Sequence, residues 1–562
     1  MTTRILISYS PVFAVAGAGL LTSHPKVNSK FSFFLHRKIH GFVPSKAVSY
    51  VIWLGGRELL ELSIGELLSC LAFLAVLAAR FVDYYDRYPT WSIGTGNSGV
   101  QARFFRSVGE LNFMTLALIL LPITRHSVWL YLLGISFERA IKFHRAWGVT
   151  TLLIMAIHGI GMWITFATTT VDNPDANFAF VLKFETNPKT GWSNLSGFLS
   201  LLILVVSYIA ATPFFRRHFF EIFLIIHLMC MPLIFLFGYL HMPGLLRYAV
   251  VSWILWGLDQ LIQYYNAFFR YQTQITELKS IVLGDGSSED NRVTRLTVTF
   301  HSTDSLLHSF YYQAGQYCFL RIPELSMKEN HPFSISSSPF FLKDAAVDLT
   351  GSGSPTQISF HIKDMGTGTF TNKLNRLAQT CRRPVKVYVD GPFGALSIHL
   401  CLYPILVLIA GGIGATPCLS LLGDVVQYKR KGSSKGKDHH HTLHSFHPEV
   451  QITFLWTSRE AALFEEFSSL LQAVSDSCGP KAVRLYTSDK SSKNEQIIRG
   501  RPDLKAVFEE AVISLTTMAS PNKNIGVIAC GPEPLLDSIS TTVSANKTYS
   551  RQIHVHKEVF AF

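Results

Sequence analysis

Charge is scarce in this chain. Asp, Glu, Lys and Arg make up 16% of its 562 residues, against 48% hydrophobic residues and 42 phenylalanines. Ordinary soluble domains are about one quarter charged, so the chain is too apolar to be soluble throughout and too long for one domain. Cysteine is also sparse. Cys70 and Cys230 fall in apolar runs, and Cys318, Cys381, Cys401, Cys418, Cys478 and Cys530 fall in mixed sequence, so no disulfide framework is expected and a reducing compartment suits that second half. No basic stripe with interleaved aromatics occurs. The net charge of +12 is therefore assigned to residues flanking a membrane, with no nucleic-acid partner. An EF-hand loop is absent too, which excludes direct calcium control by that device.

Long apolar runs are abundant before Tyr265. The organising one is Phe143 to Phe166, FHRAWGVTTLLIMAIHGIGMWITF, long enough to cross a bilayer. His144 and His158 lie in it, fourteen positions apart. At ~100° and ~1.5 Å per residue they share one helix face, ~21 Å apart. Phe219 to His241 repeats the arrangement with His227 and His241, also fourteen apart. Ionisable groups inside a membrane are costly and tend to be functional. Two helices with matched histidine pairs can hold two stacked haems, each iron gripped by one histidine from each helix. His218, nine before His227, is half a turn out of phase and is excluded as a ligand. With no C-x-x-C-H segment, the haems are expected to be non-covalent and b-type.

Taken in order, residues 5–21 fit either an additional transmembrane helix or a signal anchor. Six stronger membrane runs follow, at about 62–82, 109–130, 143–166, 195–214, 218–241 and 246–265. Arg125, Arg139, Lys142 and Arg145 flank the start of the first histidine run, and Arg216 and Arg217 precede the second. Both histidine helices are then expected to enter from the cytosol, with His144 and His227 as the inner pair and His158 and His241 as the outer. Asn194-Leu195-Ser196 is a glycosylation sequon abutting the membrane. From Thr273 the apolar period shortens. ITELKSIVL, RVTRLTVTF, GQYCFLRI, QISFHIK and VKVYVD read as strands of a small antiparallel barrel. From Tyr403 strands alternate with helical patterns, which predicts a parallel α/β domain. A low-complexity insertion at 429–448 carries His439, His440, His441, His444 and His447 and reads as a solvated loop more readily than as a weak metal site. The expected division is 1–60 as an N-terminal region, 61–268 as a six-helix haem domain, 269–398 as the barrel and 399–562 as the α/β domain.

Four motifs carry chemistry in the second half. Gly411, Gly412, Gly414, Ala415, Thr416 and Pro417 follow a buried strand and open a helix, where glycines admit a pyrophosphate to backbone N–H groups and a positive dipole end. Cys530, Gly531, Pro532 and Glu533 end a later strand of the same sheet. Arg459, after the second strand, reads either as a contact to the 2′-phosphate of NADPH or as a surface arginine. His331-Pro332-Phe333-Ser334 closes a barrel strand. Lys363 and the segment Gly366, Gly368, Thr369, Phe370 and Thr371 follow another and form a turn able to wrap phosphates.

Together these marks resemble the ferric reductase and NADPH oxidase superfamily over roughly residues 60–562. The resemblance rests on the two histidine pairs, HPFSIS, GQY, GPFG, GGIGATP, CGPEP and the aromatic C-terminus. It implies an all-α transmembrane haem bundle fused to a ferredoxin-NADP reductase-like antiparallel barrel for FAD and a Rossmann-like domain for NADPH. His331, Pro332, Phe333 and Ser334 would bind the flavin, and Lys363 with Gly366 to Thr371 its phosphates. The catalytic candidates are Cys530 and the terminal aromatic over the flavin, Phe562 or Phe560. Electrons would pass from cytosolic NADPH through FAD to the inner haem, then to the outer haem and an acceptor across the membrane. Bis-histidine ligation leaves no open iron position, so the acceptor would be reduced at the haem edge. Phe235 or Phe237 would pack between the haems or serve as ordinary filler.

The acceptor is expected to be a ferric chelate or Cu(II), with a superoxide-producing NADPH oxidase as the alternative. FERAIKFHRAWG and LNFMTLALILLP resemble oxidase segments. However, Met162 stands where oxidases commonly carry a histidine four residues after the outer ligand, and Arg106 matches both branches. A non-catalytic haem-binding subunit would predict damaged nucleotide motifs, and GGIGATP and CGPEP are intact. The chain is thus expected to be a multi-pass protein, with the plasma membrane as its expected site and the dehydrogenase half in the cytosol.

Overall fold

The structure is a computed structural model. It describes residues 64–87, 97–126, 137–168, 194–270, 273–283, 292–300, 310, 312–338, 356–381, 383–394, 396, 398–431, 446–488, 497–520, 523–545 and 552–558. The expected helix at 5–21, the loop histidines 439–444 and the terminal Phe560 and Phe562 lie outside them. The chain divides into two compact units, meeting in sequence at Ile262 and Gln263.

The first unit is helical. Its elements are α1 (Ile64–Arg87), α2 (Asn97–Leu118), α3 (Phe137–Thr168), α4 (Asn194–Ala210), the short α5 (Pro213–His218), α6 (Phe220–His241) and α7 (Leu245–Tyr265). Among the described residues four helical spans are long and apolar enough to cross a membrane: Gly99–Ile123, Ala140–Thr165, Phe220–His241 and Leu245–Tyr265. Their outward faces carry exposed Leu153, Ile160, Ile225, Met229 and Leu261, as lipid contact requires.

The second run starts earlier than its hydropathy suggests. Instead of beginning at 109, α2 begins at Asn97 and draws Arg103 and Arg106 into the helix. Local pairing tolerates this: Arg103 lies 3.8 Å from Asp86, stacks on Tyr85 at 4.2 Å and donates to the Tyr85 carbonyl. At the other end Pro122 supplies no N–H, and the helix closes in a 3₁₀ turn at Leu121–Ile123. Buried Asp259 on α7 then accepts from the backbone N–H groups of Arg125 and His126 at 3.1 and 2.6 Å, tying this turn to α7.

The second unit begins with two antiparallel sheets around one core. They are formed by β1 (Thr273–Val282), β2 (Arg292–Phe300), β3 (Tyr317–Arg321), β4 (His331–Ser334), β5 (Thr356–Lys363), β6 (Val385–Lys386) and β7 (Tyr388–Phe393), in the orders β5-β2-β1-β6 and β4-β3-β7. Leu296, Val298, Leu320, Ile335, Phe360 and Val387 fill the space they enclose. An amphipathic helix, α8 (Phe370–Thr380), follows the Gly/Thr turn, where only a turn was expected. Thr369 caps it by accepting from the Asn372 N–H.

The remainder is a six-stranded parallel sheet. It comprises β8 (Ile405–Gly411), α9 (Thr416–Lys431), β9 (Gln451–Ser458), α10 (Ala462–Glu466), α11 (Ser468–Cys478), β10 (Val483–Thr487), β11 (Ile497–Arg499), α12 (Leu504–Thr517), β12 (Ile525–Cys530), α13 (Glu533–Ala545) and β13 (Ile553–Glu558), in the order β11-β10-β9-β8-β12-β13. Strand β8, ILVLIAG, is buried at every position, as a strand covered on both faces must be. The helix expected over 460–474 is two helices that break at Phe467. The expected insertion is also shorter than 429–448. Helix α9 runs to Lys431, and Phe446 returns to the core, where its carbonyl accepts from Tyr428 while His447 bonds Ser520 at 3.2 Å.

Polar contacts join barrel and α/β domain. Ser338 donates to Asp424 on α9 at 2.6 Å, and Ser420 donates to the Ser337 carbonyl at 2.6 Å. Glu466 accepts from Arg295 at 3.1 Å and lies 3.4 Å from His361. Burial pushes the Asp424 carboxyl up to about 7, against the opposing effect of the Ser338 hydrogen bond.

Two of these carboxylates can be tested by substitution. Asp259→Ala leaves two part-buried N–H groups without their carboxylate, so the detergent-solubilised protein loses about 1–3 kcal/mol of stability, and Asp259→Asn loses less. For Asp424 the folded pKa is raised, so the stability it contributes is present at low pH and is lost as pH rises from about 4 through about 7. Asp424→Asn removes that slope: its melting temperature overtakes the parent's across this window and keeps a constant lead above it.

Candidate functional site

Helices α3 and α6 run parallel and present their histidines at matching levels. The rings of His144 and His227 lie 6.0 Å apart between centroids, and those of His158 and His241 lie 6.2 Å apart. Two metal–imidazole bonds of about 2 Å each, plus the two half-rings, span roughly 6 Å. Each pair is therefore spaced to take one iron between its rings. His218 is exposed, with its Nδ1 donating to the Phe214 carbonyl.

The backing helices fix the tautomers. His144 Nδ1 lies 2.8 Å from the Ile119 carbonyl and His158 Nδ1 lies 2.7 Å from the Phe105 carbonyl. A carbonyl only accepts, so Nδ1 carries the proton in both rings and Nε2 keeps its lone pair for a metal. Phe105 on α2 and Ile119 just past its end are themselves fourteen apart, matching the spacing of the two histidines they support. On α4, Ser207 Oγ lies 2.9 Å from His227 Nδ1.

Glycine makes room for the second pair. A Cβ on Gly109 would lie 2.6 Å from His158 Nδ1, and one on Gly197 would lie 2.7 Å from His241 Nδ1. None of Ile119, Phe105, Gly109, Gly197 or Ser207 was singled out from the sequence. For Ser207 a signal existed: Ser196, Ser200 and Ser207 form a stripe of buried polar residues on one side of an apolar helix. Phe235 packs edge-on against Trp253 at 5.1 Å.

In the second unit, β4 carries His331, Pro332, Phe333 and Ser334, all half-exposed, so the strand offers an open face. The Phe370 ring lies 4.5 Å from that of His331 and 6.2 Å from that of Phe333. The Gly/Thr turn leads into the α8 N-terminus. Gly366 and Gly368 adopt φ of 101° and 86°, and a Cβ on Gly368 would meet nothing within 4 Å. Asp364 shapes the turn by accepting from the Gly366 N–H at 3.0 Å and from Asn372 at 2.9 Å, and Thr371 Oγ1 accepts from the Met365 N–H. Lys363 is exposed beside it. A helix N-terminus, a cation and an open glycine turn suit a phosphate.

The nucleotide motifs meet at the ends of β8 and β12, where Ala410 and Cys530 are in register. Sheet order reverses at this point, which is where open α/β sheets bind ligands. The approach is tight. A Cβ on Gly414 would lie 3.0 Å from Gly531 Cα, and one on Gly411 would lie 2.6 Å from Pro532 Cδ. Trp456, fully buried, donates to the Gly412 carbonyl at 2.9 Å and steadies the loop. Ala415 and Thr416 are buried where the loop enters α9, and Glu533 opens α13. Cys530 is buried, and burial, followed by the neighbouring Cys418 and Glu558, pushes its thiol well above the usual range. Arg459 is exposed beyond β9, its carbonyl accepting from Thr487.

Three family models match the chain: the ferric reductase like transmembrane component over residues 108–238, an FAD-binding domain over 296–397, and the ferric reductase NAD binding domain over 403–495 and 479–544. Haem, FAD and a nicotinamide dinucleotide are the cofactors of these domains. Among curated relatives, ferric reduction oxidase 7, chloroplastic, of Arabidopsis thaliana is 27% identical over 337 residues, which is 58% of this chain and 40% of that protein. Ferric reduction oxidase 4 of the same plant is 26% identical, covering 66% of this chain and 48% of that protein. A superoxide-generating NADPH oxidase heavy chain of Dictyostelium discoideum is 23% identical over 514 residues, covering 82% of this chain and 69% of that protein. The chain thus spans less than half the length of the two plant relatives. It is an integral membrane protein, and it belongs to the ferric reductase and NADPH oxidase superfamily.

Proposed function

We propose that this protein takes electrons from cytosolic NADPH and delivers them across the membrane to ferric chelates or Cu(II). The observation that carries this reading is the pair of facing histidines repeated at one interval along α3 and α6, with the backing helices holding Nδ1. When bound, FAD accepts a hydride from NADPH and releases electrons singly, and the haems carry them one at a time.

The chain's own residues do the rest. His144 and His227 hold one iron position, and His158 and His241 hold the other. Each pair would supply both protein ligands to its iron and leave no open position, so a terminal acceptor would be reduced without binding the metal. Gly411, Gly412, Gly414 and Gly531 let the dinucleotide pyrophosphate approach the backbone, and Thr416 and Pro417 start the helix whose dipole faces it. Arg459 meets the 2′-phosphate. His331 to Ser334 line the flavin, Lys363 and the turn from Gly366 to Thr371 take its phosphates, and Phe562 or Phe560 covers its ring. Buried Cys530 borders the crevice as a neutral thiol. The helical domain over 61–268, the barrel over 269–398 and the α/β domain over 399–562 divide these tasks, with the plasma membrane as the site. Met162, where an oxidase would carry a histidine, favours a metal acceptor over oxygen.

Membranes expressing the chain should reduce a Fe(III) chelate with NADPH in the absence of oxygen, insensitive to superoxide dismutase. Reduction that collapses without oxygen, or that dismutase abolishes, makes superoxide the product and the chain an oxidase. The haem assignment has its own readout. Gly109→Ala drives a methyl into the His158 ring, so bound haem per chain falls from two towards one by pyridine haemochrome assay. Gly257→Ala, where a Cβ meets nothing within 4 Å, retains both.

A further inference from the structure

Within the pair of His144 and His227 the two rings are held by unlike groups. His144 and His158 donate to backbone carbonyls, whose position and acceptor strength come with the helix itself. The support of His227 is a side chain: the Ser207 hydroxyl at 2.9 Å, 4% exposed, on a helix packed along α6. A hydroxyl differs from a carbonyl because it can donate as well as accept. Once Nε2 of His227 binds iron, Nδ1 must carry the proton, and Ser207 Oγ becomes its acceptor. The strength of that acceptor sets how much electron density the imidazole passes to the metal.

We infer that Ser207 is a positioning residue that holds the His227 ring and sets the reduction potential of the haem between His144 and His227, independently of the haem between His158 and His241. Removing the acceptor makes His227 a poorer donor. The oxidised iron is then less well stabilised, and the potential of that haem rises. Ser207 is a side-chain support, which substitution can change without rebuilding a helix. This inference rests on the haem reading of the histidine pairs.

The test is a spectroelectrochemical titration of the purified full-length, haem-loaded protein, with haem per chain measured alongside. In Ser207→Ala, two haems remain and one of the two reduction waves moves to higher potential, with about a tenfold change in its reduction equilibrium, about 59 mV for one electron. The other wave stays in place. Ser207→Thr, which keeps the hydroxyl, restores the parent wave. Should Ser207→Ala lose one haem outright, Ser207→Thr must retain both at parental potentials. Unmoved waves with both haems present, equal movement of both waves, or failure of Ser207→Thr to restore the parent overturns the assignment. A parent protein that binds no haem would instead overturn the haem reading itself, so the two failures are distinguishable.

Discussion

The interaction on which the membrane half depends is the bond from an imidazole Nδ1–H to a carbonyl of a neighbouring helix. Inside a bilayer a histidine has no water to orient it, and a free ring would rotate about its χ angles. Donation to Ile119 and Phe105 removes that freedom for His144 and His158 and decides which nitrogen is left for a metal. The requirement spreads outward from there. The chain must leave α2 before Pro122, so that the Ile119 carbonyl just past the helix end is available to His144, and α2 must lack a side chain at Gly109 so that His158 can come close. Polar residues on α2 then need partners on α1, which explains why Arg103 sits against Tyr85 and Asp86.

The second unit solves a related problem with backbone in place of side chains. A dinucleotide crevice needs N–H groups that approach closely, and Cβ atoms stand in the way. Gly411, Gly414 and Gly531 remove them where β8 and β12 end side by side. The Trp456 indole steadies the same loop from beneath. The barrel and the α/β domain are then tied by a few polar contacts, Ser338 to Asp424 and Arg295 to Glu466 among them, near the segments expected to hold the two dinucleotides.

Much of this was legible in the sequence because its signals were periodic. A repeat of fourteen marks two helix faces, alternation marks strands, and glycine after a buried strand marks a crevice. The start of α2 was not legible, because hydropathy averages across Arg103 and Arg106 while the structure pairs the former with neighbours that are not adjacent in sequence. The helix α8 was hidden because FTNKLNRLAQT is polar overall, and only its cap at Thr369 betrays it. The supports of the histidines were invisible for a deeper reason. Two of them are carbonyl groups, which every residue possesses, so no residue type announces them. The ends of the 429–448 insertion were misjudged because low-complexity sequence hid the return of Phe446 to the core.

The two buried thiols of the nucleotide domain have a consequence for durability. Cys418 and Cys530 lie close together behind the crevice, and burial pushes the first to about 12 and the second well above the usual range. Oxidants attack the thiolate, and solvent access governs how often they meet it. On the proposed function, single electrons pass near dissolved oxygen, and any that escapes makes an oxidant. Keeping these sulfurs protonated and out of reach makes the floor of the nucleotide site chemically inert, so the catalyst can outlast its own leakage.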